Sequence, residues 1–591
     1  MTMTPVELPD SLRILAALRR LDEPGFARLL QARRVNARAV GDLLDLAEWL
    51  DAPRHVAEAL ARLDWPTLRD LRRREPAALE RAAGLMLAVE VDGGAPEPLP
   101  ETARALDAAL PAVPRFAPGA EADDAGAAAA HEAAVLAVDA LALLDAAPRV
   151  VRTTREGVRM SGVEVRRLAA ELDRDAALVG AVYRWLHAAG LMAPLDEVWH
   201  PTAAGRRLVE LPAIDRWRAL VDAWLGEQRL AEVAELVDGL GGEFPLPAAP
   251  DADGGTDEVD GAAPGTAAIT LPGDPAARIA AAEALGIADR GALTAAGAEV
   301  LDGRVDAAAA RFAAAFPAEV TQVYLQPDQT IIAPGPLPAA LDARLRRVAV
   351  LERRALASEY RITADSIADA LGEGMREAEI RELLAELSLT GVPQPVDYLI
   401  GATAERFGRV RVREHDRGGR TVARVRALEP GILDALRIDA GLRPLGLRPV
   451  DDELETSVSP AAVVKSLVDA RYPAAPEDAA GRILPLLAPS TAPEHSPEPG
   501  QTVARTATEL AEQAAAGDDG DDRATWLRRR LELARRAKAP VAVTVRIDAA
   551  TTQTLRLVPT AVAPQRVRAR DAEAEVERTL PLSSIVAVDE L

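Results

Sequence analysis

The chain contains no cysteine and only two lysines, Lys465 and Lys538. Without thiols there can be no disulfide, thiolate zinc site or cysteine nucleophile. Aromatic residues make up 3% of the chain, so Ala, Leu and Val must fill its interior. The 6 His residues are scattered without metal-ligand spacing. The opening residues, M-T-M-T-P-V-E-L-P-D, lack a basic stretch followed by an apolar one, and no uninterrupted apolar run reaches about 18 residues. The expectation is a soluble cytoplasmic protein, nucleoid association being open, with no membrane partner and no cofactor.

What is present is length and negative charge. A chain of 591 residues has room for roughly four domains. Its net charge is −23. A uniformly acidic surface repels phosphate backbones, so any contact with nucleic acid has to be local.

Periodicity and composition divide the chain, and the fold class they predict is α+β, predominantly helical. Residues 1–90 read as a helical domain: Leu12, Leu15, Leu18 and Leu21 recur at helical spacing behind Ser11 as a cap. An Ala/Pro/Gly-rich connector covers 91–131. Residues 132–238 read as a winged-helix domain, with a first helix Ala133–Leu144, a second from Ser161, a third stopped by Gly190, and E-V-W-H-P-T as a wing strand. Residues 239–273 carry no basic residue and are expected to form an acidic disordered linker. Residues 274–318 contain the turn A-L-T-A-A-G, a small winged-helix remnant. Residues 319–487 read as a mixed α/β domain, 488–522 as a second linker, and 523–591 as a small β module led by the basic helix Trp526–Ala537.

Catalytic signatures are missing. A phosphate-binding loop needs Gly-x-x-x-x-Gly-Lys-Ser/Thr, because backbone amides cradle the phosphates while the Lys reaches their oxygens. Only Lys465 precedes a Ser, in P-A-A-V-V-K-S, and no Gly stands where the loop requires it. There is no G-x-S-x-G elbow, H-E-x-x-H pair or D-x-D-x-D-G run. Gly241-Gly242-Glu243-Phe244 spells part of a cyclic-dinucleotide synthase signature, but leads into a Pro-rich acidic segment and reads as coincidence. The expectation is a protein that is not an enzyme.

Candidate nucleic-acid contacts are arginine clusters. The run R-F-G-R-V-R-V-R-E-H-D-R-G-G-R-T-V-A-R-V-R alternates with period two and predicts a β-hairpin turning at D-R-G-G-R. Arg409, Arg411 and Arg413 would share one face of its first strand, Arg424 and Arg426 one face of its second, with Arg417 and Arg420 at the turn. Val410, Val412, Ala423 and Val425 would take the buried side. Like charges across a hairpin need anions between them; phosphates are one candidate, acidic side chains from neighbouring elements the other. The third winged-helix segment offers Arg174, Tyr183, Arg184 and His187, and the wing adds Trp199, His200, Arg206 and Arg207. The C-terminal module supplies Arg546, Arg556, Arg566, Arg568 and Arg570, with no Phe, Tyr or Trp after Trp526 to stack bases. Gln326-Pro327-Asp328 with Thr330 reads as a fold-specifying turn or a docking edge, and Pro393-Gln394-Pro395 as the bend before a helix.

The segment from Val323 to Ile400, V-Y-L-Q-P-D-Q-T-I-I-A-P-G-P-L through S-L-T-G-V-P-Q-P-V-D-Y-L-I, resembles the N-terminal domain of XPB-type helicases as it occurs in helicase-associated proteins of high-GC bacteria. The N-terminal helices and V-S-P-A-A-V-V-K-S-L support the resemblance. The strand runs after Trp526 resemble a WYL-type domain, a small SH3-like β-barrel, although the Trp-Tyr-Leu triplet is missing. The resemblance implies a DNA-binding accessory protein acting in DNA repair or processing with a separate XPB-like helicase or nuclease. Two alternatives stay open: a protein scaffold that never touches DNA, and a winged-helix transcriptional regulator with a sensor at its end.

Overall fold

The computed structural model describes residues 10–36, 40–90, 94–118, 123–146, 152–154, 157–195, 197–242, 244, 275–354, 357–417, 421–484, 491–492, 501–516, 519–547, 551–572 and 574–590. Most of the linker expected over 239–273 lies outside them, as does Arg420. The architecture is α+β with helices predominating, arranged around four hydrophobic cores among the described residues.

One core joins the two ends of the chain. After helix Asp10–Leu18, helices Glu23–Arg33 and Leu43–Asp51 start on aspartate caps where a carboxylate takes an orphan amide: Asp22 accepts from Gly25 N–H at 2.8 Å and Asp42 from Asp45 N–H at 2.7 Å; the three helices pack together. Their Leu12, Ile14, Phe26 and Leu46 pack with Leu510, Trp526, Leu531 and Val543 from the C-terminal region. The segment expected as a second linker contains the helix Gln501–Ala516. It buries Ala507, Leu510 and Ala514, a narrow apolar stripe that needs the N-terminal helices to cover it.

The C-terminal strands form an open antiparallel sheet, in the order Glu577–Pro581, Arg566–Asp571, Thr552–Ala563, Val541–Arg546, Ile585–Glu590. No pairing between its two edge strands occurs among the described residues, so the closed barrel implied by the WYL resemblance is not formed. The edges are nevertheless joined by the 3-residue turn Leu582–Ser584. A flat five-stranded sheet would hold them about 19 Å apart, beyond the reach of so short a link, so the sheet curls. A bulge between Pro559 and Ala561 bends the long second strand.

The largest core surrounds the Ala-rich helix Asp123–Ala146. Its stretch Gly126–Leu144 is long and apolar enough to cross a membrane by composition, yet 56% of it is buried inside the fold. Helix Gly162–Leu172 is capped by Ser161, whose hydroxyl accepts from Glu164 N–H at 3.2 Å, and helix Ala176–Ala188 by Asp175. The hairpin Met192–Leu195/Val198–Pro201 follows. The order helix, helix, hairpin, helix is thus present.

A second copy of its last part occurs at helix Pro275–Ala284, the short hairpin Ala288–Asp289/Ala292–Leu293 and helix Ala295–Leu301. Both copies read Thr-Ala-Ala-Gly after the hairpin. Thr202 Oγ1 donates to Gly190 O at 2.7 Å and accepts from Gly205 N–H at 3.1 Å; Thr294 Oγ1 donates to Gly286 O at 2.7 Å and accepts from Gly297 N–H at 2.8 Å. In both, the helix then presses its glycine onto the backbone just ahead of the hairpin, at Leu191 in one copy and Ile287 in the other.

The region over 319–487 holds two cores and two sheets. The first sheet is antiparallel, in the order Val350–Arg353, Ser358–Arg361, Thr330–Ala333, Tyr324–Leu325, covered by helices Ala339–Arg346, Ala364–Gly372, Glu377–Leu387 and Gln394–Arg406. Gln326-Pro327-Asp328 makes its tight turn: Gln326 N–H donates to Thr330 O at 2.8 Å and Thr330 N–H to Asp328 Oδ1 at 3.1 Å. The second sheet runs Arg448–Val450, Glu453–Thr456, Thr421–Ala427, Val410–Asp416, Ala474–Glu477. Helices Pro430–Ile438 and Pro460–Asp469 contribute to its core.

Candidate nucleic-acid interface

The arginine hairpin forms, from strands Val410–Asp416 and Thr421–Ala427, with the predicted faces. Arg411 lies opposite Arg426 and Arg413 opposite Arg424, while Val410, Val412, Ala423 and Val425 are buried beneath. Guanidinium therefore faces guanidinium, an arrangement that costs energy unless an anion intervenes.

The anions are glutamates of the flanking strands. Glu453 accepts from Arg413 at 2.8 Å and from Arg424 at 3.5 Å, lying between the facing pair. Glu455 takes Arg417 at 2.5 Å and contacts Arg424 at 3.4 Å. Glu477 accepts two bonds from Arg426, at 2.7 and 2.5 Å, a bidentate geometry that holds the guanidinium charged and its pKa above the usual value. Arg409 pairs with Glu405 and Glu429. Arg411 donates to Gly408 O, and burial pulls its guanidinium pKa down, with Glu477 opposing that effect. Carboxylates thus already occupy the space between the hairpin arginines. Alternation could have revealed two of these partners, since Glu453 and Glu455 share one strand face; Glu477 comes from a strand paired in parallel, which local pattern does not show.

The winged-helix candidates are largely engaged by the fold itself. Tyr183 is buried and donates to Ala140 O at 2.9 Å. Arg184 pairs with Glu227 at 3.3 Å and Arg174 with Glu132 at 2.9 Å. His187 bonds Met192 O at 3.2 Å, and its ring meets the buried Trp199 edge-on. Arg206 donates to Thr491 at 3.3 Å; Arg207 is exposed. Helix Ala176–Ala188, the expected reading helix, buries Val179, Val182, Trp185 and Leu186, and packs against helices Ala213–Glu227 and Pro275–Ala284.

Residues 323–451 match the family described as helicase conserved C-terminal domain. The match spans all of the first sheet and its helices, the arginine hairpin, and the next strand, Arg448–Val450, stopping short of the remaining strands of the second sheet. The segment is helicase-related, and it covers well under half of the chain. No curated protein matches the chain.

Lys465, the one lysine followed by Ser, sits in the middle of helix Pro460–Asp469, and Ser466 Oγ donates to Ala462 O at 2.9 Å within that helix. Phe244 of the Gly241-Gly242-Glu243-Phe244 string packs against Trp65 and Phe116 at 5.9 and 6.2 Å between ring centroids.

Proposed function

We propose that this protein is a non-enzymatic, helicase-related accessory factor that binds DNA and works in repair or processing beside a separate helicase. The observation that carries the reading is the helicase-family match over 323–451 in a chain without a phosphate-binding loop. A nucleotide engine needs a glycine loop ahead of its lysine, and Lys465 lies inside a regular helix. The finer likeness to an XPB-type N-terminal domain, and of the end module to a WYL domain, belongs to the same proposal. Gel-shift titration of duplex, forked and single-stranded DNA at low salt, run beside an ATPase assay, tests it. Binding without hydrolysis is expected; no shift of any of the three DNAs, or DNA-stimulated hydrolysis, overturns it.

One observation favours a second reading. The hairpin arginines Arg409, Arg413, Arg417, Arg424 and Arg426 already hold glutamate partners, which suits a scaffold that recruits a helicase or nuclease through protein contacts alone. That scaffold would retain an ATPase in a pull-down after nuclease treatment and bind no DNA when purified.

A further inference from the structure

The exposed face of the C-terminal sheet differs from the hairpin in its charge balance. Alternation puts Val541, Val543, Val545, Leu557, Val567 and Ala569 on the buried side, against helix Asp519–Ala537 and its Trp526 and Leu531. The opposite side carries Arg546, Arg556, Arg566, Arg568 and Arg570, all exposed. Register sets them in a row along strand Thr552–Ala563: Arg546 lies across from Thr552, Arg556 stands in the strand itself, and Arg570, Arg568 and Arg566 lie across from Val558, Ala561 and Ala563. Cross-strand partners point to the same face, so these arginines span three adjacent strands.

Their carboxylate neighbours are few and loose. Glu577 lies 4.0 Å from Arg568 and Glu575 lies 3.6 Å from Arg570, all with side chains more than half exposed. Such contacts contribute little in water. Among the described residues no carboxylate pairs with Arg546, Arg556 or Arg566. Thr544 and Thr554, hydrogen-bonded at 3.0 Å, and Thr579, opposite Arg568, add hydroxyls to the same face. In a molecule of net charge −23 this is a surface with cations in excess.

We propose that this sheet face is the phosphate-binding surface of the protein, and that its ligand is the backbone of duplex DNA. The inference rests on the DNA-binding reading above and assigns it a place. Strands lie about 4.8 Å apart and alternate residues about 6.7 Å, so the guanidiniums form a patch broad enough for several phosphates and larger than a single small anion needs. Arg and Thr side chains are regular phosphate contacts and carry no sequence information. Single-strand platforms work by stacking bases on aromatic rings, and none follows Trp526. The surface is therefore expected to take duplex without sequence preference.

The test uses the full chain and a fluorescein-labelled duplex of random sequence, read by anisotropy across a salt series. The triple variant Arg566→Gln, Arg568→Gln, Arg570→Gln removes three phosphate contacts, so the slope of log K against log salt should fall by about 2.7. Affinity at 0.1 M salt should drop on the order of a hundredfold. The matching Arg→Lys variant keeps the charge and should bind nearly as wild type, and circular dichroism checks that both are folded. If wild type binds and the Gln variant retains its affinity and slope, this surface is not the site, while the DNA-binding reading survives. If wild type binds none of the DNAs at low salt, that reading fails first. Tighter binding of a single-stranded oligonucleotide than of duplex overturns the duplex assignment.

Discussion

Arg346 reaches from the helicase-related segment to Asp139 in the core helix Asp123–Ala146, with Nη2 2.6 Å from Oδ1. Arg354 contacts the same carboxylate at 2.9 Å. Asp342 accepts from Arg346 at 3.0 Å and from the Tyr360 hydroxyl at 2.5 Å. Burial pushes the Asp139 carboxyl up, and Arg346 pulls it back toward ionisation. Burial likewise raises the Tyr360 hydroxyl, with Asp342 adding to it, so the phenol stays a donor. This set of charges ties the core around helix Asp123–Ala146 to the helicase-related sheet.

Breaking that set from one side should be costly. Asp139→Ala leaves two buried guanidiniums short of a partner, and a loss of about 3–5 kcal/mol is expected. Paired with Arg346→Met, the double variant should lose less than the sum of the singles. Urea unfolding of the four proteins measures the coupling; strict additivity would show that Asp139 and Arg346 do not act together.

The two Thr-Ala-Ala-Gly corners should be intolerant of a side chain. A Cβ on Gly205 would sit 2.0 Å from Leu191 O, and one on Gly297 2.0 Å from Ile287 O. Backbone cannot yield as a side chain would, so Gly205→Ala and Gly297→Ala should each destabilise by about 2 kcal/mol or more. Gly226→Ala, in a helix with nothing near its Cβ, is expected to be neutral or to stabilise by up to about 1 kcal/mol. Thermal melts of the three variants decide it.

Hairpin variants should separate stability from DNA affinity. Arg413→Gln removes one of the two partners of Glu453, a mostly buried carboxylate, and should cost about 1–3 kcal/mol. Its effect on duplex binding should be within error of zero. Glu453→Gln should also destabilise, and by releasing two guanidiniums should strengthen binding at low salt. A large loss of DNA affinity in Arg413→Gln would place the interface back on the hairpin.

Asp51 supplies a pH dependence. Burial raises its carboxyl to about 6, with Asp10 and Glu101 adding to the shift. It is the last residue of helix Leu43–Asp51, where the helix dipole also disfavours an anion. A raised carboxylate favours the folded state below its unfolded pKa, and that contribution is lost as pH rises through the folded value. The loss should occur between about pH 4 and 6. Asp51→Asn should therefore stabilise the protein at pH 7.5 by about 1 kcal/mol, the full linkage being discounted for partial exposure. Denaturation midpoints from pH 4 to 8 should be flatter in the variant.

Local grammar made much of this fold readable. Ser161 marks one helix start and Gly190 the stop of the next, and strict alternation around Val410 and Val425 places the hairpin's buried side. The turn at Gln326-Pro327-Asp328 followed from the same kind of signal. The helix Gln501–Ala516 did not, because its apolar stripe has meaning only beside partners 450 and more residues earlier in the chain, such as the helix Glu23–Arg33.

By itself the sequence determined the chemistry on offer: no thiols, no phosphate loop, arginine as the dominant cation, and elements set by period and cap. Tertiary structure alone decided which arginines are spent. Charges act through space and residue order is blind to that distance, so Glu477 could neutralise Arg426 from 51 positions away while Arg546 and Arg566 were left facing solvent.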